Sequence, residues 1–328
     1  MSELIITRKE NLTAIADAIR AKTNTEDLLS LDEMVEKIDG ITASAGGDTD
    51  IEDALVSKTI ETYTNPRITR LGSVAFAYCS SLKSINLPAL TSAGISAFTY
   101  CSKLTDVSLP KCKIIPQSVF AGCTALVNLE LPECTSILNN AFMGCTALET
   151  ISLPKVTGLS ASVFVSCTAL KSISLPLCTM AQSYAFSNCK VLSYASLPVL
   201  GSFASSVFRG CTSLAEVYAP RVSQIGAVAF SSCSALTKLD LPLLSLIASS
   251  AFYGCRSLSA LIIRNTSTKQ ATLSNSSAFA LTPMSVSSYL GYFGSIYVPA
   301  SMVDVYKTAT NWATYSSRIT SIEGSEFE

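Results

Sequence analysis

Phe76, Phe98, Phe120, Phe142, Phe164, Phe186, Phe208, Phe230 and Phe252 stand 22 residues apart without exception. A cysteine follows each three residues later, from Cys79 to Cys255, and a leucine three further on, from Leu82 to Leu258. Proline then closes eight of the nine units, Pro88 through Pro242. So strict a period excludes most folds. A coil of this length cannot bury its own apolar side, so like coils must stack and share one continuous core.

Two spacings live inside each unit. The interval of three in Phe142-x-x-Cys145-x-x-Leu148 predicts a single 3₁₀ or α turn with all three side chains inward. The stretch from Leu148 through Ile151 to Leu153 alternates, as a short strand with one buried face does. Proline, lacking an N–H, ends the ladder there and turns the chain outward. Ser or Thr follows the cysteine in seven units, where a hydroxyl bonds local backbone; Lys190 and Arg256 replace it in the other two. Stacked about 4.8 Å apart, nine units make a parallel sheet roughly 40 Å long with like side chains in columns.

The 12 cysteines are expected to be buried free thiols that act as spacers. Columns on a parallel sheet hold Cβ atoms about 4.8 Å apart, wider than a disulfide prefers, and no Cys-x-x-Cys pair exists. Cys112, Cys134 and Cys178 occupy a slot that other units fill with Leu90, Val156, Leu200, Val222 or Leu244, so they read as hydrophobic substitutes. Replacing Cys167 with Ser should cost about 1–3 kcal/mol by burying a hydroxyl in an apolar column. Histidine is absent from the chain, which removes the commonest general base and every His-containing metal site. No catalytic residue, cofactor or metal is assigned, and the chain reads as a non-enzyme.

Twenty-three basic residues against 24 acidic ones leave a net charge of −1, without the basic stripe that nucleic acid requires. No apolar run approaches the roughly 18–20 residues of a spanning helix, so membrane insertion is not expected. The opening MSELIITRKENLTAIADAIR carries charge throughout and does not read as a signal peptide.

Residues 1–41 hold two capping-box patterns, Thr7-x-x-Glu10 and Ser30-x-x-Glu33, each leading into an amphipathic run. They predict a helical hairpin module, for oligomerisation or attachment, joined by a flexible linker over 42–50. Residues 51–299 form the solenoid. Its first coil, 51–72, is degenerate: Pro66 is in phase with Pro88 and Ile60 with Leu82, while Ser57 stands for Cys and Ala54 for Phe. Regular repeats run over about 73–264. After Phe252 the frame breaks, with Arg264 in place of proline and Phe279 arriving 27 residues on. A last strand, GSIYVP, ends at Pro299, and 300–328 supply a helical cap and tail containing Tyr306, Trp312 and Tyr315. An open array exposes core and sheet edge at its ends, so caps are required.

The unit A-F-x-x-C-x-x-L-x-x-I-x-L-P resembles the BspA-type leucine-rich repeats of bacteria and some protozoa, over about 51–299. The resemblance implies an α/β leucine-rich repeat solenoid, a right-handed superhelix with its parallel sheet on the concave side. It also implies a surface that binds host or bacterial proteins, often in adhesion. The stretch 297–312 is similar to the usual ending of such proteins. The N-terminal A-D-A-I-R-A-K-T and L-D-E-M-V-E-K-I segments resemble the start of phage and prophage tail-associated proteins of Gram-positive bacteria. That implies a structural or host-recognition role on a virion.

The positions flanking the strand centre face outward and are the expected binding surface. In the central units they are small, as at Ser172 and Ser174. The C-terminal third is richer, with Tyr194, Glu216, Tyr218, Lys238 and Asp240, and tyrosine among mixed charges suits a protein hot spot. Toward the N-terminus, Asp106, Asn128 and Glu130 form a second polar group. The Asp106 and Glu130 carboxyls, about 8 Å apart on neighbouring strands, also meet the spacing of an inverting glycosidase, the distant alternative of a carbohydrate-active parallel β-helix. A protein ligand is the expected partner, with a glycan the alternative.

Overall fold

The structure is a computed structural model that describes residues 50–51, 60–265, 270–285 and 293–328. The expected hairpin over 1–41, together with Ala54 and Ser57, lies outside these residues.

Each coil contributes a three-residue strand, and the strands stack in parallel from Thr62–Thr64 through Lys238–Asp240 to Ala260–Ile262. The register advances by one repeat per coil, pairing Thr62 with Ser84, Tyr194 with Glu216 and Lys238 with Ala260. Ser295–Val298 and Ile319–Ser321 carry the same sheet past the array. A second ladder of two-residue strands follows the prolines, from Ile114–Ile115 to Thr272–Leu273. Asp50–Ile51 pairs in parallel with Arg70–Leu71 at the other end. Helix, among the described residues, is confined to the segment Ala300–Arg318.

Between the two ladders lies the core. The phenylalanine rings from Phe76 to Phe252 stack with centroids 5.3 to 5.5 Å apart. Phe279 continues the column at 5.3 Å and 6° from Phe252, so the break in sequence spacing is not a break in packing. All 12 cysteines are buried and unbridged.

The turn that carries Phe and Cys differs from the expected 3₁₀ or α turn. Asn140 and Gly144, two residues before and after Phe142, adopt left-handed φ of 59° and 74°. Equivalent pairs recur along the array, among them Ser96 with Tyr100 and Ser162 with Ser166. Asn140 and Gly144 are each third in a hydrogen-bonded turn: Ala141 N donates to Leu138 O at 3.3 Å, and Cys145 N to Phe142 O at 3.1 Å. This is the position that a type II turn reserves for positive φ. Alternation of the two hands lets Asn140, Phe142 and Gly144 all donate N–H to the next coil, at 3.1, 2.9 and 2.8 Å. A continuous helix would have turned those donors inward along its own axis. The arc is therefore bonded from coil to coil much as the strands are, and stacking decides its shape.

Left-handed backbone costs a side-chain-bearing residue about 1–2 kcal/mol, least for Asn and most for a β-branched residue. Val228 holds φ 51° in the position that Asn140 occupies four coils earlier along the same column. Val228→Asn should therefore raise stability by about 1 kcal/mol, read as a higher urea midpoint at unchanged slope. A midpoint at or below that of the unaltered chain would show that Val228 is not strained.

The cysteine column is not wholly apolar, which corrects the expectation for Cys167→Ser. From Cys101 to Cys255 each thiol of the column donates to the carbonyl of the phenylalanine one coil back: Cys101 to Phe76 O at 3.0 Å, Cys145 to Phe120 O at 3.0 Å and Cys167 to Phe142 O at 3.1 Å. A serine hydroxyl finds the same acceptor, so its cost falls to the lower end of the expected range.

At the C-terminal end side chains replace the missing coil. Trp312 Nε1 donates to Ala271 O at 2.6 Å, Asn311 Nδ2 to Leu273 O at 2.7 Å, and the Tyr306 hydroxyl accepts from Ala271 N at 2.8 Å. Tyr315 packs edge-on against Phe279, 5.2 Å between centroids, and its hydroxyl donates to Ser276 O. Backbone groups that another coil would have satisfied thus stay paired.

Candidate functional site

Alternation along each strand aims the central residue inward and its two neighbours outward. Ile173 is buried between exposed Ser172 and Ser174, and Leu239 between Lys238 and Asp240. In-register stacking then turns the outward residues into two columns. One runs Asp106, Asn128, Thr150, Ser172, Tyr194, Glu216, Lys238; the other holds Glu130, Tyr218 and Asp240. The sequence-predicted residues therefore fall into two groups on one face, separated by the Ser/Thr stretch from Thr150 to Ser174.

The ladder that supports this face is interrupted three times. Leu87 N donates to Ser108 O at 3.0 Å, and the same rung recurs at Leu131, Leu175, Leu197 and Leu241. Among the described residues it has no counterpart at Leu109, Leu153 or Ala219. Strands Asp106–Ser108 and Asn128–Glu130 accordingly lie side by side in separate hydrogen-bonded sheets. The first opening forms a groove of about 560 Å³ lined by Asn86, Asp106, Ser108, Asn128 and Glu130. The groove holds polar acceptors on an otherwise regular surface. Thr105 Oγ1 donates to Asp106 at 2.7 Å, and Thr150 Oγ1 to Asn128 at 2.5 Å. None of its lining residues is aromatic, so it lacks the ring platform on which sugars stack.

The C-terminal group is different in kind. Tyr194 and Tyr218 stand 36% and 51% exposed, with Glu216 beside both. Lys238 and Asp240 continue the columns but are engaged within the chain. Arg264 forks onto Asp240, with Nε and Nη2 each 3.0 Å from Oδ2. Lys238 Nζ lies 5.5 Å from the centre of the Phe327 ring. Arg264, Tyr297 and Phe327 thus belong to this surface although the repeat pattern does not reveal them. The only signal for Arg264 was its place where every other unit has proline.

The thiols take no part in this face. Burial pushes Cys101, Cys134 and Cys145 up to about 12 and Cys112 to about 11, so no thiolate forms near neutral pH. Among the described residues no three His, Cys, Asp or Glu side chains gather as metal ligands would. No described helix is long and apolar enough to cross a membrane.

A family model described as BspA type Leucine rich repeat region matches in 6 copies, over residues 53–171, 91–215 and 179–295. Among solved structures the chain is similar to a leucine-rich repeat protein from Bacteroides ovatus. Identity is 22%, the match covers 80% of this chain and 84% of that one, and the TM-score is 0.52. It also matches a leucine rich cell surface protein from Faecalibacterium prausnitzii at 22% identity, covering 79% and 82% of the two chains, with a TM-score of 0.39. The pneumococcal vaccine antigen PcpA matches at 19% identity over 78% of this chain and 70% of its own, with a TM-score of 0.43. No curated protein matches the sequence. The segments that resemble tail-associated proteins lie outside the described residues.

Proposed function

Because the chain belongs to the BspA-type leucine-rich repeat family, whose repeats build protein-interaction and adhesion modules, we propose that it is a non-enzymatic recognition module. Its partner, a host or bacterial surface protein, docks on the outward columns of the strand face. The observation that carries this reading is the pair Tyr194 and Tyr218. Two large amphipathic side chains stand exposed on a hydrogen-bonded ladder, with Glu216 next to both and the Lys238 cation one strand further on. Tyrosine held this way loses little entropy on binding and offers both apolar area and a hydroxyl. Nothing in the core needs either ring.

Replacing Tyr194, Glu216 and Tyr218 together with alanine should leave the melting temperature within about 2 °C, since exposed substitutions rarely exceed about 0.5 kcal/mol each. Proteins from host and bacterial surface extracts retained by the immobilised chain should be lost, by tenfold or more, from the triple variant. Equal retention by both would place the binding surface elsewhere.

A further inference from the structure

Strand Ala260–Ile262 breaks the alternation of the sheet: all three residues are buried, Ala260 to 5% and Ile262 to 1% exposure. Its outward positions are apolar where the other strands carry polar side chains. What lies over them follows from the register. Ala260 sits between Lys238 and Ser295, and Ile262 between Asp240 and Tyr297. The Phe327 ring meets Lys238 on one flank, with Nζ 5.5 Å from its centre, and Tyr297 on the other, 4.8 Å between ring centres and edge-on at 72°. Phe327 therefore bridges the strand from above. Arg264, locked in place by Asp240, donates Nη2 to Phe327 O at 2.8 Å.

We propose that this strand and its flanks form a seat for an acidic peptide segment bearing one aromatic side chain, filled in cis by residues 325–328 of the chain itself. The occupant has the matching chemistry. From Glu323 to Glu328 the segment carries three glutamates, one phenylalanine and no base. The seat supplies an apolar floor, a tyrosine wall and two cations, Lys238 and Arg264, the second already paired with Asp240. The hold is also light. Its other hydrogen bonds are local, within the segment or to Ile322 just before it, such as Phe327 N to Ser325 Oγ at 3.2 Å and Ser325 N to Ile322 O at 3.0 Å. It adds no strand to the sheet. An occupant fastened by one ring and one carbonyl can be exchanged, whereas a strand-paired one could not without opening the ladder. The seat adjoins Glu216 and Tyr218, so this inference rests on the recognition reading and adds a strap over one end of that surface. A partner carrying an aromatic residue among acidic ones would displace the strap.

The probe is a fluorescein-labelled peptide of residues 321–328, titrated against the full chain and followed by anisotropy. A tethered occupant competes at an effective concentration in the millimolar range. Phe327→Ala, which empties the seat, should therefore bind the peptide at least tenfold more tightly than the unaltered chain. Adding Arg264→Ala should weaken that binding at least fivefold, and 0.5 M salt should weaken it as well. Should Phe327→Ala melt far below the unaltered chain, Phe327→Leu keeps the bulk and should still bind at least threefold more tightly. Equal binding by the unaltered and opened chains, or indifference to Arg264→Ala, overturns the proposal. Neither outcome depends on Tyr194, Glu216 or Tyr218, so failure of the strap and failure of the recognition surface are separately visible.

Discussion

Between pH 9 and pH 11 the folded chain should lose stability at about 5 kcal/mol per pH unit or more. The cause is the cysteine column. Burial holds Cys101, Cys134 and Cys145 up to about 12, and Cys112 to about 11, whereas an unfolded thiol titrates near 8.5. Below the unfolded value both states keep their protons, and the stability is fully present. Above it the unfolded chain sheds protons that the folded chain retains, so each thiol costs about 1.4 kcal/mol per unit until the pH reaches its folded value. Four such thiols give the slope, and Cys123, Cys167, Cys189 and Cys233, also raised by desolvation, steepen it. Against a total stability of about 5–15 kcal/mol, the chain should be unfolded near pH 11. Urea midpoints at pH 7.5, 9, 10 and 10.5 test this. The double variant Cys134→Ser/Cys145→Ser isolates the thiols from tyrosine and lysine ionisation, and should flatten the slope by about 3 kcal/mol per unit. A midpoint steady through pH 10.5 would mean that the thiols ionise as freely in the folded chain as in the unfolded one.

Phe164→Ala should be the most damaging single core change, at about 4 kcal/mol. The ring lies 5.3 Å from Phe142 and 5.5 Å from Phe186, nearly parallel to both, and is completely buried. Its loss leaves a cavity that the arc cannot close, because its backbone is bonded to the coils on either side: Phe142 N to Val163 O and Phe164 N to Ala185 O. The site of the change matters as much as its size. In a one-dimensional array each coil is held by its neighbours, so a mid-array defect uncouples the two halves. Two unfolding transitions should replace one in a urea titration followed by circular dichroism. A single transition displaced by less than about 1 kcal/mol would show that the column does not carry the coupling.

The candidate site was partly legible beforehand, and the divide is instructive. Tyr194, Glu216, Tyr218, Lys238 and Asp240 were readable because strand alternation and a 22-residue offset assign every residue to a face and a column. Their availability was not readable. Lys238 and Asp240 are taken up by Phe327 and Arg264, and Arg264 reaches Phe327 across 63 residues. No periodicity reports such a contact. The open rungs at Leu109 and Leu153 were equally hidden, for those units keep the same motif as their bonded neighbours; only the third, where Ala219 replaces the usual leucine, departs from it.

By itself the repeat determined the parallel stack, the register and the inward set of Phe, Cys and Leu, because one misplaced residue would expose a whole apolar column. It also determined that cysteine here is a spacer, since nine in register leave only a buried position. The tertiary structure alone decided the hand of the turn residues, which Ser, Asn, Gly, Tyr and Val share without a common signature. It alone decided that the end of the chain lies on the strand face. Both depend on what the neighbouring coil or a distant segment offers as a hydrogen-bond partner, and a local pattern holds no record of that.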